Sequence, residues 1–246
     1  MSARLLALDS STETLSVAVA AADRQWVRNV QGGALASSRI IGLALEGLAG
    51  CGLQVAQLDA VAFGAGPGAF TGLRCACAVA QGLAFAAAKP VLAIDSLMIV
   101  AEGARGGCAS AGGEVWVAMD ARMDEIYAAQ YRLDGQRWQV VVAPALYTLP
   151  ALAARWSATA PRAVAGNAVA VLGERLPLHG AVWLPDATDR ASALLALTRQ
   201  AHGDGLAVDP AQASPLYLRD KVALTTLERE AARRASTLRR PSEGQA

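Results

Sequence analysis

Apolar and polar positions alternate in two kinds of rhythm along this chain, and the rhythms repeat. Leu5-Leu-Ala-Leu-Asp9 reads as a strand ending in an acid, Ser10-Ser-Thr12 as a polar turn, and Thr14-Leu-Ser-Val-Ala-Val19 as a returning strand. Val115-Trp-Val-Ala-Met-Asp120 followed by Glu125-Ile-Tyr-Ala-Ala-Gln130 repeats the unit, with Asp120 in the place of Asp9. A later apolar strand follows each copy, over 58–63 and 163–165, and each runs into glycine, Gly64 and Gly166. Self-similarity of this kind predicts a duplication into two related halves.

Helical periodicity lies between the strands. The spacing predicts helices over 35–49 and 73–88, a strand over 90–95, and a third helix over 96–104. In the second half it predicts helices near 149–156, 168–174 and 191–202. Strands mixed with crossover helices predict an α/β fold, two half-domains each with a mixed sheet flanked by helices. We place the first half at 1–105, with the glycine loop and the partner-binding helices described below. The second is placed at 106–222, its last part returning to the first, with a hinge in the glycines of 106–113. Residues 223–246, arginine-rich and poor in apolar residues, read as a disordered basic tail.

Composition narrows the function. The chain of 246 residues is 54% apolar and 17% charged, with mean hydropathy +0.31, so it has more greasy surface than one core requires. A net charge of +1 gives no field that would gather nucleic acid over the whole surface. Cys51, Cys75, Cys77 and Cys108 lack paired zinc spacing, and the first nine residues lack a leader pattern; we expect a cytoplasmic protein. The apolar helix over 73–88 falls short of a membrane span, which needs about 20 residues, and no membrane association is expected.

The candidate chemistry sits in Gly64-Ala-Gly66-Pro67-Gly68-Ala-Phe-Thr71-Gly72, between a strand and a helix. Such a loop presents N–H groups to a phosphate or is a tight turn that no ligand touches. It satisfies a loose dinucleotide fingerprint. However, Asp95 lies beyond the ~20-residue spacing of the ribose-binding acid, and some 60 residues precede the unit. The second reading joins the loop to the Asp-ended strands. Asp9, Ser10, Ser11 and Thr12 offer hard oxygens suited to magnesium, or a hairpin turn whose hydroxyls bond their own backbone.

Leu6-Ala-Leu-Asp9-Ser-Ser-Thr12, Gly66-Pro-Gly-Ala-Phe-Thr-Gly-Leu-Arg74, Ala118-Met-Asp120-Ala-Arg-Met-Asp-Glu125-Ile-Tyr127 and Pro215-Leu-Tyr-Leu-Arg219 occur in one order, and together they resemble the TsaB family over roughly residues 3–222. The resemblance implies a duplicated actin-like, ribonuclease H-like fold. It implies a non-catalytic scaffold or activator in threonylcarbamoylation of the adenosine beside the anticodon, in tRNAs reading codons that begin with A. The implied partners are the catalytic relative TsaD and the ATPase TsaE, with tRNA reached through the complex and a homodimer formed when the chain is alone. TsaD carries a histidine pair for its metal; the matching positions here are Ser96 and Val100, so no metal is expected. A histidine common in the family at the start of the first long helix is Ala36 here.

Asp9, Ser10, Gly66, Pro67, Gly68, Thr71 and Gly72 are then a degenerate phosphate site or a structural loop. No cofactor is expected to bind tightly, with ATP and magnesium entering only in the assembled complex. The alternative is a nucleotide-dependent phosphotransferase or ATPase of the actin-like superfamily. For the partner interface we expect Ile40, Ile41, Leu43 and Leu45 on the first helix, and Ala76, Ala80, Gly82 and Ala84 on the second. Both helices are apolar on nearly every side, whereas a helix on a sheet needs only one apolar face.

Overall fold

The computed structural model describes residues 3–185 and 189–219. Strands β1 (Leu5–Asp9), β2 (Thr14–Ala21) and β3 (Arg24–Gln31) form an antiparallel meander. Helix α1 (Ala36–Gly50) leads to β4 (Ala60–Gly66), parallel to β1, and α2 (Phe70–Ala87) leads to β5 (Val91–Asp95). The first sheet has the order β3-β2-β1-β4-β5. Helices α3 (Ser96–Gly103) and α4 (Arg105–Ser110) connect to a second set: β6 (Glu114–Asp120), β7 (Glu125–Asp134), β8 (Arg137–Thr148), α5 (Leu149–Ala158), β9 (Ala163–Ala165), α6 (Ala168–Leu172), β10 (Val182–Leu184) and α7 (Arg190–Gly203).

The second sheet has the order β10-β9-β6-β7-β8. Matching β1 with β6 and continuing along the chain gives the same topology twice. This is the duplicated actin-like fold, and it places Asp9 and Asp120 at equivalent strand ends. Helix α4 occupies the first part of the expected hinge at 106–113, with Cys108 buried in the core.

Three apolar layers hold the sheets. On the outer face of the first sheet, Leu6, Leu8, Val17 and Phe63 meet Ile40, Ala44 and Leu48 of α1 and Ala76, Ala80 and Ala84 of α2. On the outer face of the second, Trp116 packs edge-on to the fully buried Trp156 of α5, at 5.9 Å. The central layer lies between the sheets and is built from α3 and α7. There the two repeats exchange helices. Helix α7 lies on all five strands of the first sheet, while α3 packs against α7, against β4 and β5 of its own sheet, and against β6 and β7 of the second.

Helix α2 is long and apolar enough by length and composition to cross a membrane, with a mean hydropathy of 1.3 over Phe70–Ala87. Its inner stripe nonetheless covers the first sheet. The basic tail expected over 223–246 lies outside the described residues, as do 220–222 at the end of the second expected half.

Candidate functional site

Strand β1 ends by delivering Asp9, Ser10 and Ser11 into the interior, each at most 3% exposed. The Asp9 carboxylate accepts the Ser11 N–H at 3.1 Å, an Asx turn that reverses the chain into β2. Its other oxygen accepts from the Arg190 guanidinium at 2.9 Å, and both side chains are buried. Arg190 also reaches the Ser11 hydroxyl at 3.4 Å. It belongs to the first turn of α7, so the pair joins the first strand of one repeat to the last helix of the other.

The glycine loop is shaped by this turn. The Ser10 hydroxyl donates to the Gly72 carbonyl at 2.8 Å, and the Ala69 N–H donates to the Ser11 carbonyl at 2.7 Å. A Cβ on Gly72 would strike the Ser10 carbonyl, and one on Gly64 the Asp9 carboxylate. Gly66 has φ +111°, open to glycine and strained for other residues, and its N–H donates to the Ser96 hydroxyl at 2.9 Å. Of the seven expected loop residues, Ser10 and Gly72 bond to each other, Gly68 lies against Ser11, Asp9 against Gly64, and Gly66 is tied to Ser96, with Pro67 between Gly66 and Gly68. Thr71 stays apart: it is exposed, and among the described residues its side chain makes no hydrogen bond.

The second strand end repeats the device. The Asp120 carboxylate accepts the Arg122 N–H at 3.0 Å, and the Asp120 N–H donates to the Asn167 side chain at 2.8 Å. Between the two ends lies a cleft of about 250 Å³. Ser11 and Thr12 line it from one side, Asp120, Tyr127 and Asn167 from the other, and Arg190 also contributes. Desolvation on burial pushes the Tyr127 phenol above its ordinary range, with a smaller lowering from Arg219.

A magnesium-bound nucleotide in this class of fold needs a free acid at the strand end. Here the Asp9 carboxylate is buried and committed to a guanidinium and a backbone N–H, so the residues present do not fit that group. Ser96 is engaged with Gly66, and Val100 is buried in the central core. Among the described residues, no three His, Cys, Asp or Glu side chains converge as metal ligands.

The outer surface of α1 and α2 corrects half of the expected interface. Ile40, Ala76, Ala80 and Ala84 are fully buried against the chain's own first sheet, because they occupy the inward stripe of each helix. The outward stripe carries Ile41, 51% exposed, and Leu45, 50% exposed, with Gly82 open and Leu43 half-buried. Phe85, 59% exposed, lies one turn beyond Gly82. A greasy aromatic on an outward face is the signal that identifies this stripe, and the expected set lacks it.

Arg190, Asn167 and Tyr127 were also absent from the expected site. Arg190 had one visible signal: a cation in the first turn of a helix runs against the macrodipole and calls for a carboxylate partner.

A duplicated actin-like frame with a cleft between equivalent strand ends defines the class. Within it, the family model for TsaD, tRNA N6-adenosine threonylcarbamoyltransferase, matches residues 35–180. The tRNA threonylcarbamoyladenosine biosynthesis protein TsaB of Escherichia coli is 31% identical over 239 residues, covering 89% of this chain and 96% of that protein. The Haemophilus influenzae protein of the same name is 43% identical over 126 residues, about half of each chain, at 51% and 52%. A crystal structure from Pseudomonas aeruginosa, described as similar to the peptidase YeaZ, superposes with TM-score 0.78 at 36% identity, covering 88% of this chain and all of that one. The chain belongs to the TsaB family, and its place is in tRNA threonylcarbamoyladenosine biosynthesis.

Proposed function

We propose that this chain is a non-catalytic scaffold and activator of threonylcarbamoyl transfer to tRNA, working in the cytoplasm by pairing with a TsaD-like catalytic subunit. The observation that carries the reading is the outward stripe of α1 and α2. Ile41, Leu45 and Phe85 stand exposed on two helices that lie side by side over one sheet face. Apart from the helix's own backbone and the adjoining residues, nothing lies within 4 Å of the point a Cβ would occupy on Gly42 or Gly82, so another helix has room to approach closely. Burying such a stripe supplies association energy at roughly 25 cal/mol per Å² of apolar surface, before the costs of docking.

The occupant is the equivalent helix pair of the catalytic subunit, with a second copy of this chain taking its place when that subunit is absent. A TsaE-like ATPase and tRNA join through the assembled complex. The Asp9–Arg190 pair supports the non-catalytic side of the reading, since the acid that would hold a metal-bound phosphate is neutralised internally. The glycine loop is then architectural, packing α2 against the β1–β2 turn, and ATP with magnesium is a matter for the complex.

The test is a Leu45→Arg, Phe85→Arg double variant, with binding to the TsaD-like subunit measured by calorimetry and threonylcarbamoyladenosine formation measured in the reconstituted system. Both are expected to be lost while the far-ultraviolet circular dichroism and melting temperature of the isolated chain hold. Undiminished binding with the double variant overturns the assignment of this face.

A further inference from the structure

The segment 210–219 runs along α2 and then leaves it. Gln81 donates to the carbonyls of Pro210 and Ala213 at 2.9 and 3.1 Å. Further along the same stripe, the Tyr217 ring lies 5.3 Å from Phe70, and the Arg74 guanidinium stacks over Phe70 at 4.0 Å. Arg74 also donates to the Tyr217 hydroxyl at 3.2 Å. The Leu216 N–H donates to the Ala65 carbonyl at 2.7 Å, at the end of β4. From there Leu216, Tyr217, Leu218 and Arg219 line the cleft, and Arg219 lands on the other repeat. Its guanidinium donates to the Ala121 carbonyl at 2.9 Å and to the Glu125 carboxylate.

The turn that receives Arg219 is unusual. Arg122, Met123 and Asp124 have φ of 65°, 59° and 59°, three successive left-handed residues with no glycine among them. Side chains disfavour this conformation, and it persists only where its surroundings over-determine it. Asp120 holds the turn from below through the Arg122 N–H, and the Ala121 N–H donates to the Glu125 carbonyl at 2.9 Å. Arg219 holds it from across the cleft. Met123 is left 70% exposed at the tip.

We propose that Pro215–Arg219 is a latch across the cleft, anchored on α2 at one end and releasable at Arg219, which keeps the β6–β7 turn in its left-handed form. The two ends differ in kind. The α2 end combines backbone, aromatic and side-chain contacts, whereas the far end is one partly exposed side chain whose Nη2 alone reaches the Ala121 and Arg122 carbonyls and the Glu125 carboxylate. Release of Arg219 frees the turn to relax and opens the cleft mouth without unpacking either sheet. The latch stands whether or not α1 and α2 are the partner face, because its releasable contact is on the β6–β7 turn, outside both helices.

Hydrogen exchange by mass spectrometry on the full chain tests it. In Arg219→Gln, the amides of Ala121, Glu125 and Leu149, all bonded around this turn, are expected to exchange at least about tenfold faster, while β1 and β6 stay unchanged. Glu125→Gln is expected to move the same amides, and the double variant to add little to Arg219→Gln, since both remove one contact. Arg219→Lys, which keeps the charge on a shorter side chain, is expected to fall in between. Unchanged exchange at the turn in Arg219→Gln overturns the latch. Acceleration spread evenly over both sheets overturns it as well, because Arg219 would then be a general staple of the fold.

Discussion

Arg190 and Asp9 are separated by 181 positions in the chain and by 2.9 Å in space, both of them buried. Removing one member of such a pair leaves a charge stranded in the interior. Arg190→Ala is therefore expected to lower unfolding stability by about 3–5 kcal/mol, read from urea titrations. Asp9→Asn with Arg190→Met is expected to cost less than the two single changes summed, because no charge is then stranded.

Calorimetry of the isolated chain with ATP and magnesium is expected to show no submicromolar binding. The guanidinium already balances the strand-end carboxylate, so a cation there would have to displace it. A submicromolar signal would favour a nucleotide-using enzyme over a scaffold.

The glycines of the chain divide by what surrounds them. Gly42 lies in the interior of α1 with open space around it, and Gly42→Ala is expected to raise the stability of the free chain by about 0.5–1 kcal/mol. Gly72→Ala drives a methyl into the Ser10 carbonyl and is expected to lower it by about 1–3 kcal/mol, the cost of an overpacked site. Thermal melts separate the two signs.

Asp95 caps α3 and accepts the Tyr131 hydroxyl at 2.6 Å, linking the first sheet to the second. Burial raises its pKa above the usual carboxylate range, and the three hydrogen bonds only partly oppose this. A raised carboxyl pKa means the folded state holds its proton longer than the unfolded chain. The stability it gives is full below the unfolded value and is lost as pH rises through the folded one. Asp95→Asn removes that loss, so its stability relative to the parent is expected to improve from about pH 4 towards neutrality. Paired urea titrations across that range check the slope.

Much of this architecture was legible in the sequence because it is local. Strand ends at Asp9 and Asp120, the glycine punctuation at the end of β4, and the starts of α1, α3 and α5 need only nearby residues. Strand β3, Arg24-Gln-Trp-Val-Arg-Asn-Val-Gln, escaped because it is a sheet edge with polar residues on both faces. β10 escaped because three residues carry no period. The interface positions failed in phase: a helix apolar all round gives no sign of which stripe meets its own sheet, so Ala80 and Gly82 looked alike. A substitution to arginine at Ala80 would test the core instead of the partner face. Arg190 escaped as a site residue because its meaning depends on a partner nearly the whole chain away.

The helix exchange between repeats has an evolutionary corollary. Whatever single ancestral unit was doubled, the present halves no longer close on themselves: each lends the lid that seals its sibling's interior. A gene cut between them would strip α7 from the floor of one fragment and α3 from the floor of the other, so loss of either repeat exposes greasy surface in the one that stays.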